Sequence, residues 1–240
     1  MVARGLGSFI VDSARAHLML FGSPLEPTYG DAVGRRILLA FAGVGLGLFL
    51  LLRWVLDATE WRGSPPGRSL FVAALLGAFL VCQKVWIRAP FANIGLRRFA
   101  DWTRLEWLYL AQVVPLAGMA FSIVFRQHLR KLLEAHGGAG FVVFSLLTGL
   151  LWGAVQECLY RGWLQTEFTR RFGWGAGLLL ANLAFTLGPL HADYLLGGAV
   201  RWAGLGAIFA IGLVFGLLYR RSGNLWIPAL LHGLWPLNMS

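Results

Sequence analysis

Residues 143–166 read VFSLLTGLLWGAVQECLYRGWLQT. No side chain between Val143 and Gln156 is charged, and the apolar residues run on instead of alternating. That is the pattern of a helix in lipid, not of a barrel strand. About 20 such residues, wound as helix, cross a hydrocarbon core about 30 Å thick. Lipid supplies no partner for an open backbone group, so a spanning segment closes its hydrogen bonds on itself.

Six further runs of the same kind surround this one. With it they predict spans over 37–56, 69–87, 105–125, 143–166, 176–198, 202–219 and 224–238. The fold class expected is therefore all-α, a polytopic transmembrane bundle of about seven spans. Residues 1–36 form an N-terminal segment in which 7–22 reads as an interfacial amphipathic helix. Asp12, Arg15 and His17 interrupt its apolar stretch, which is not the plan of a signal peptide. Residues 37–240 make a single membrane domain, and Ser64-Pro65-Pro66-Gly67 is its clearest break between spans.

Composition agrees. The chain of 240 residues is 58% hydrophobic and 13% charged, with a mean hydropathy of +0.66. A soluble domain carries about 25% charged residues. The net charge of +10 does not point to nucleic acid, because the basic residues sit at span ends and not on one amphipathic face. There they fix orientation and meet anionic head groups. The N-terminal segment and the loops at 84–104, 161–173 and 220–223 hold 14 Lys and Arg, against 7 in the alternate loops. This places the N-terminus in the cytoplasm of a multi-pass cell-membrane protein. Cys82 and Cys158 lie in apolar runs and imply no disulfide framework. Gly212-x-x-x-Gly216, and Gly43, Gly45 and Gly47, are read as ordinary close-packing positions.

Polar residues at bilayer depth are functional candidates. Glu157 and Arg161 are four apart and share a helix face. His191 follows Leu187-Gly188-Pro189-Leu190, with Asp193 close behind, and His232 sits in Pro228-Ala-Leu-Leu-His-Gly. Hydropathy would end the fifth span at Leu190. The apolar stretch 194–200 instead predicts that the helix continues past His191, which brings Glu157, His191 and His232 to similar depth. A carboxylate and two imidazoles suit water activation. The alternative is a structural Glu157–Arg161 pair with histidines bridging helices.

Other chemistries fit less well. His-Glu-x-x-His and Gly-x-Ser-x-Gly are absent from the sequence. Only Asp193 would serve an aspartyl site, and Cys158 reads as a packing residue. No cofactor is expected. A zinc ion on Glu157, His191 and His232 is the alternative, since three ligands plus water make a catalytic site.

On these residues the sequence resembles the CAAX-protease and bacteriocin-processing family, glutamic-type intramembrane endopeptidases related to the Ras-converting CAAX protease. The family's Glu-Glu-x-x-x-Arg is similar to Gln156-Glu157-x-x-x-Arg161-Gly162 here. Its Phe-x-x-x-His corresponds to Leu187-x-x-x-His191, and its His-x-x-x-Asn to His232-x-x-x-Pro236. The run from Gly216 to His232 also resembles the family's approach to its last histidine, so the likeness covers about 145–238. It implies hydrolysis of a peptide bond near the C-terminus, or the leader, of a membrane-associated substrate, lipidated or carrying a sorting tail.

Three positions depart from the pattern. Gln156 replaces the first Glu, taken in the family as the water-activating base. Leu187 replaces Phe, and Pro236 replaces Asn, with Asn238 two residues on. The expected roles are therefore Glu157 and His191 activating water, His232 stabilising the oxyanion, Arg161 orienting Glu157, and Gln156 lining the site. The competing expectation is an inactive relative that binds or protects a membrane partner. A solute transporter is a third, and the sequence shows no inverted repeat to support it.

Overall fold

The computed structural model describes residues 27–50, 65–124, 126–127, 130, 134, 139–196 and 200–234. All the regular structure among them is helical. The interfacial helix expected at 7–22, the tail of the first span, most of 126–136, and Pro236 and Asn238 lie outside the described residues.

Helix α1 is Asp31–Leu50. Helix α2 is Pro65–Val81 and runs into a π-helical end, Cys82–Ile87. It starts on the two prolines of the expected break, since a proline in the first turn lacks only an N–H that would go unpaired there. Helix α3 is Arg104–Val124. Helix α4, Ala139–Glu157, passes through a π segment, Cys158–Gln165, into α5, Thr166–Phe172. Helix α6 is Trp174–Leu187, α7 is the single turn Asp193–Leu196, α8 is Trp202–Ser222 and α9 is Trp226–Gly233. Three of these helical stretches, Pro66–Ile87, Val143–Phe172 and Trp202–Ser222, are long and apolar enough to cross a bilayer.

The burial pattern is that of a bundle in lipid. The core gathers on α4 and its π segment, where Val155, Leu159, Tyr160, Trp163 and Leu164 pack with Ile37, Phe79 and Phe185. Outward faces carry Leu39, Leu70, Leu108, Ile123 and Val214, each more than half exposed. Such apolar faces would be a liability in water and are what a bilayer covers.

Two expectations are corrected. The fifth span does not run on past His191: α6 stops at Leu187, and Pro189–His191 is a 3-10 turn. Gly188 takes an extended backbone, φ −77° and ψ −179°, because the ring of Pro189 excludes the preceding residue from the helical region. Among the described residues Gly43, Gly45 and Gly47 make no close approach either, since a Cβ on each would meet none of their atoms within 4 Å.

Gly212 and Gly216 do more than pack. A side chain at Gly212 would run into Asn182 and Phe185, and one at Gly216 into Leu178 and Gln165. Their carbonyls accept hydrogen bonds from Arg161 Nη2 (2.8 Å) and Gln165 Nε2 (2.9 Å). Gly153 lets α4 meet α9, its Cβ position falling 2.7 Å from the carbonyl oxygen of Ala229. The small residue therefore sets how near His232 comes to α4.

Described residues in or beside the four basic segments counted as one side meet at one end of the bundle. Thr28 Oγ1 lies 3.3 Å from Asn93 Oδ1, and Arg170 bonds Asp31 at 2.8 Å. Leu225 N donates to Gly95 O and Trp226 Nε1 to Arg97 O. A capping box starts α3: Glu106 N donates to Thr103 Oγ1 while Glu106 Oε2 accepts from Thr103 N. The other oxygen of Glu106 accepts from Asn224 Nδ2, and Asn224 Oδ1 accepts from Trp226 N. One buried carboxylate thus ties the start of α3 to the start of the helix carrying His232.

Candidate active site

Glu157 is the last residue of α4 and is fully buried. Its Oε1 lies 2.7 Å from His232 Nδ1, and its Oε2 lies 3.2 Å from Arg161 Nε. Arg161, also buried, is held from two more directions. Its Nη2 donates to Gly212 O, and its guanidinium sits 4.5 Å from the centre of the Phe185 ring. Removing one member of such a buried ion pair leaves an uncompensated charge, so the arrangement is self-locking.

His191 reaches the same region from the turn after α6. Its Nδ1 bonds Phe185 O at 2.8 Å. A carbonyl only accepts, so Nδ1 carries the proton and Nε2 is the acceptor. The Phe185 ring stands edge-on to His191 at 4.8 Å, to His232 at 5.8 Å and to Tyr160 at 5.1 Å. Phe215 stacks on His232 at 4.9 Å. Aromatic packing thus fixes both imidazole planes.

A cavity of about 280 Å³ opens on this cluster, and Gln156, His191, His232, Phe185 and Tyr194 line it. Gln156 is buried, and its side-chain oxygen has no hydrogen-bond partner among the described residues. Glu157 is not among the lining residues; its two oxygens face His232 and Arg161. His232, which Glu157 touches, is the member of that pair on the cavity wall. No three His, Cys, Asp or Glu of the described residues group as metal ligands.

The break at Gly188 does not remove His191 from the site, because the 3-10 turn folds it back onto Phe185. Leu187, at the family's Phe position, is 52% exposed and points away. Phe185, two residues earlier, is the ring that fills the site, and a lone aromatic at the end of an aliphatic helix was its only signal. Phe215 carried none, nor did Trp152, which also lines the cavity.

The family model described as "Type II CAAX prenyl endopeptidase Rce1-like" matches residues 138–237, which include every residue of the cluster. The chain is 32% identical over 138 residues to the uncharacterized protein YpbD of Bacillus subtilis (strain 168), covering 54% of this chain and 64% of that protein. It thus spans just under two thirds of that relative's length. It is 30% identical over 166 residues to an uncharacterized 24.3 kDa protein of Escherichia coli, covering 66% of this chain and 70% of the relative. No solved structure matches the chain.

Proposed function

The chain belongs to the Rce1-like family of type II CAAX prenyl endopeptidases, and on that premise we propose that it is an intramembrane endopeptidase whose base is His232 backed by Glu157. The observation that carries this reading is the 2.7 Å contact between the buried carboxylate and a histidine that lines the cavity. With Nδ1 committed to Glu157, His232 exchanges protons with a substrate through Nε2. The carboxylate behind it stabilises the imidazolium that forms, as the orienting acid does in a hydrolytic triad.

The sequence of events follows. A water in the cavity, oriented by His191, loses a proton to His232 as its oxygen attacks the peptide carbonyl carbon. The amide of Gln156 donates to the developing oxyanion, a role open to Gln as well as to any N–H donor. His232 then returns the proton to the leaving nitrogen as the C–N bond breaks. Arg161 holds Glu157 from behind and touches no substrate. No step needs a metal ion.

The substrate is a membrane-associated protein or peptide, lipidated or bearing a C-terminal sorting tail, cut near its end or in its leader. The basic end of the bundle faces the cytoplasm, together with the N-terminus of this multi-pass cell-membrane protein. Glu157, which the sequence assigned to water, acts instead as a positioning residue.

A second reading has its own observation. Gln156 stands on the cavity wall where the family's base is Glu, and an amide accepts no proton from water. On that reading the chain is an inactive relative that binds a membrane partner or confers immunity. The test is cleavage of a farnesylated, tagged CAAX peptide and of tagged membrane substrates by the purified chain, His232→Ala and Gln156→Glu. Cleavage by the parent and none by His232→Ala supports the protease. Cleavage by Gln156→Glu alone supports the inactive relative and overturns His232 as an independent base.

A further inference from the structure

A second cavity lies on the other side of α4. It measures about 490 Å³, and its walls are Leu76 and Leu80 of α2, Ala154 of α4, Cys158 at the start of the π segment, and Ala229 of α9, with Arg97 and Arg98 at its rim. Ala154 and Cys158 are each two residues from Gln156, so they face about 200° away from it on the helix. The two cavities are therefore back to back.

The walls change character along their length. Near the basic end stand Arg97, Arg98, Phe99 and Trp226. Phe99 stacks on Trp226 at 5.3 Å and packs on Trp102 at the same distance, and Trp102 meets Trp107 at 4.6 Å. A cluster of tryptophans beside arginines marks head-group depth. Leu76, eleven residues before the end of α2 at Ile87, lies roughly 15 Å deeper along that helix. The cavity thus runs from the head-group level into the hydrocarbon and is almost wholly apolar below its rim.

The charge at the mouth has one sign in excess. Residues 84–104 carry Lys84, Arg88, Arg97, Arg98 and Arg104 against Asp101 alone. Arg97 lies 3.7 Å from Glu106, and Arg98 lies 3.6 Å from Asp101 with both side chains exposed. An exposed pair of that kind is weak and yields to a better anion.

We propose that this cavity holds one acyl chain of an anionic bilayer phospholipid, whose phosphate sits at Arg98 and Arg97. An apolar shaft with a cationic, aromatic mouth matches that amphiphile in both depth and charge. A zwitterionic lipid brings its phosphate with a cation beside it, which the excess positive charge of the mouth disfavours, and a chain attached to the peptide substrate would enter away from the cavity of Gln156 and His232. The lipid holds α2, the 91–99 loop and α9 together, and it requires no peptide-bond chemistry.

The full chain is reconstituted in nanodiscs of phosphatidylcholine mixed with phosphatidylglycerol, moved to mild detergent, and weighed with its retained lipid by native mass spectrometry. The parent is expected to keep one phosphatidylglycerol. Leu76→Trp, which fills the shaft, is expected to lower retention about tenfold, the factor carried by about two lost methylene contacts. Leu80→Phe, at the exposed edge, is expected to act in the same direction. Arg98→Gln, at an exposed position, keeps a lipid but loses the preference for phosphatidylglycerol. Equal retention of both lipids by the parent, or unchanged retention in both filled variants, overturns the proposal. Displacement of the lipid by a farnesylated peptide also overturns it and makes the cavity a substrate-chain site.

Discussion

Glu157 and Glu167 lie ten residues apart on one continuous helical stretch, both fully buried and both paired with arginine. Glu167 is held by Arg170 at 2.9 Å and by Arg171, whose side chains are 19% and 31% exposed, and Arg170 reaches on to the exposed Asp31. Glu157 is held by Arg161, 1% exposed, and its other oxygen goes to His232. The same local recipe, an acid with arginine three or four residues on, gives an anchor at one place and a candidate reaction centre at the other. The third partner decides which. Around Glu167 the chain of charges ends in solvent, whereas around Glu157 it ends in an imidazole on a cavity wall.

The comparison breaks most sharply under paired substitutions. Glu157→Gln should lower cleavage by about a thousandfold or more, as when the orienting acid of a triad is neutralised. It should also cost about 3 kcal/mol, because Arg161 stays buried without its countercharge. Glu167→Gln should leave cleavage within a fewfold of the parent, since its arginines reach water. Turnover and thermal melting of the two variants, measured side by side, decide this. Similar losses of activity in both would mean that Glu157 has no special link to His232.

Next in size is Gly153→Ala. Its methyl group would meet the backbone of Ala229 and Gly233, which does not yield as a flexible side chain would. We expect about 2 kcal/mol of destabilisation and a kcat loss larger than any rise in KM, because α9 moves His232 away from Glu157. A Gly43→Ala control, at a position with open space around it, should melt within a degree or two of the parent.

The smallest effect sharpens the other side of the comparison. Arg170, by its hydrogen bond and its charge, holds the Asp31 carboxyl below its ordinary value of 3.8. A lowered folded-state value means a contribution present above 3.8 and lost as pH falls through the folded value. Asp31→Asn should therefore shift the melting temperature by no more than about 1 °C at neutral pH. The difference from the parent should vanish in acid. A growing difference in acid would contradict the sign.

Much of the bundle was legible in the sequence because continuous apolar runs have one physical solution in lipid. The contacts among residues 28–31, 93–97, 170 and 225–226 join the loops that the Lys and Arg count had grouped together. The end of α6 was legible too, in Gly188-Pro189, but the apolar residues beyond it masked the break in a hydropathy reading. Which of Gln156 and Glu157 faces the cavity was not legible. Adjacent residues differ by about 100° around a helix, and only the neighbours α8 and α9 say which direction is inward. The aromatic setting of Phe185 and Phe215 depends on those same neighbours.

The early end of α6 also acts on the surrounding bilayer. Its 14 residues span only about 21 Å, against a hydrocarbon thickness of about 30 Å. A mismatch of that size, where such a helix faces lipid, is expected to thin or dimple the membrane beside it. A dimple on the side of the turn that carries His191 would bring bulk water nearer to the cavity than in an undeformed bilayer. Thicker, sterol-rich or long-chain membranes raise the energy of that deformation. Lipid chain length would then act on hydration of the site with no change in the protein's own residues.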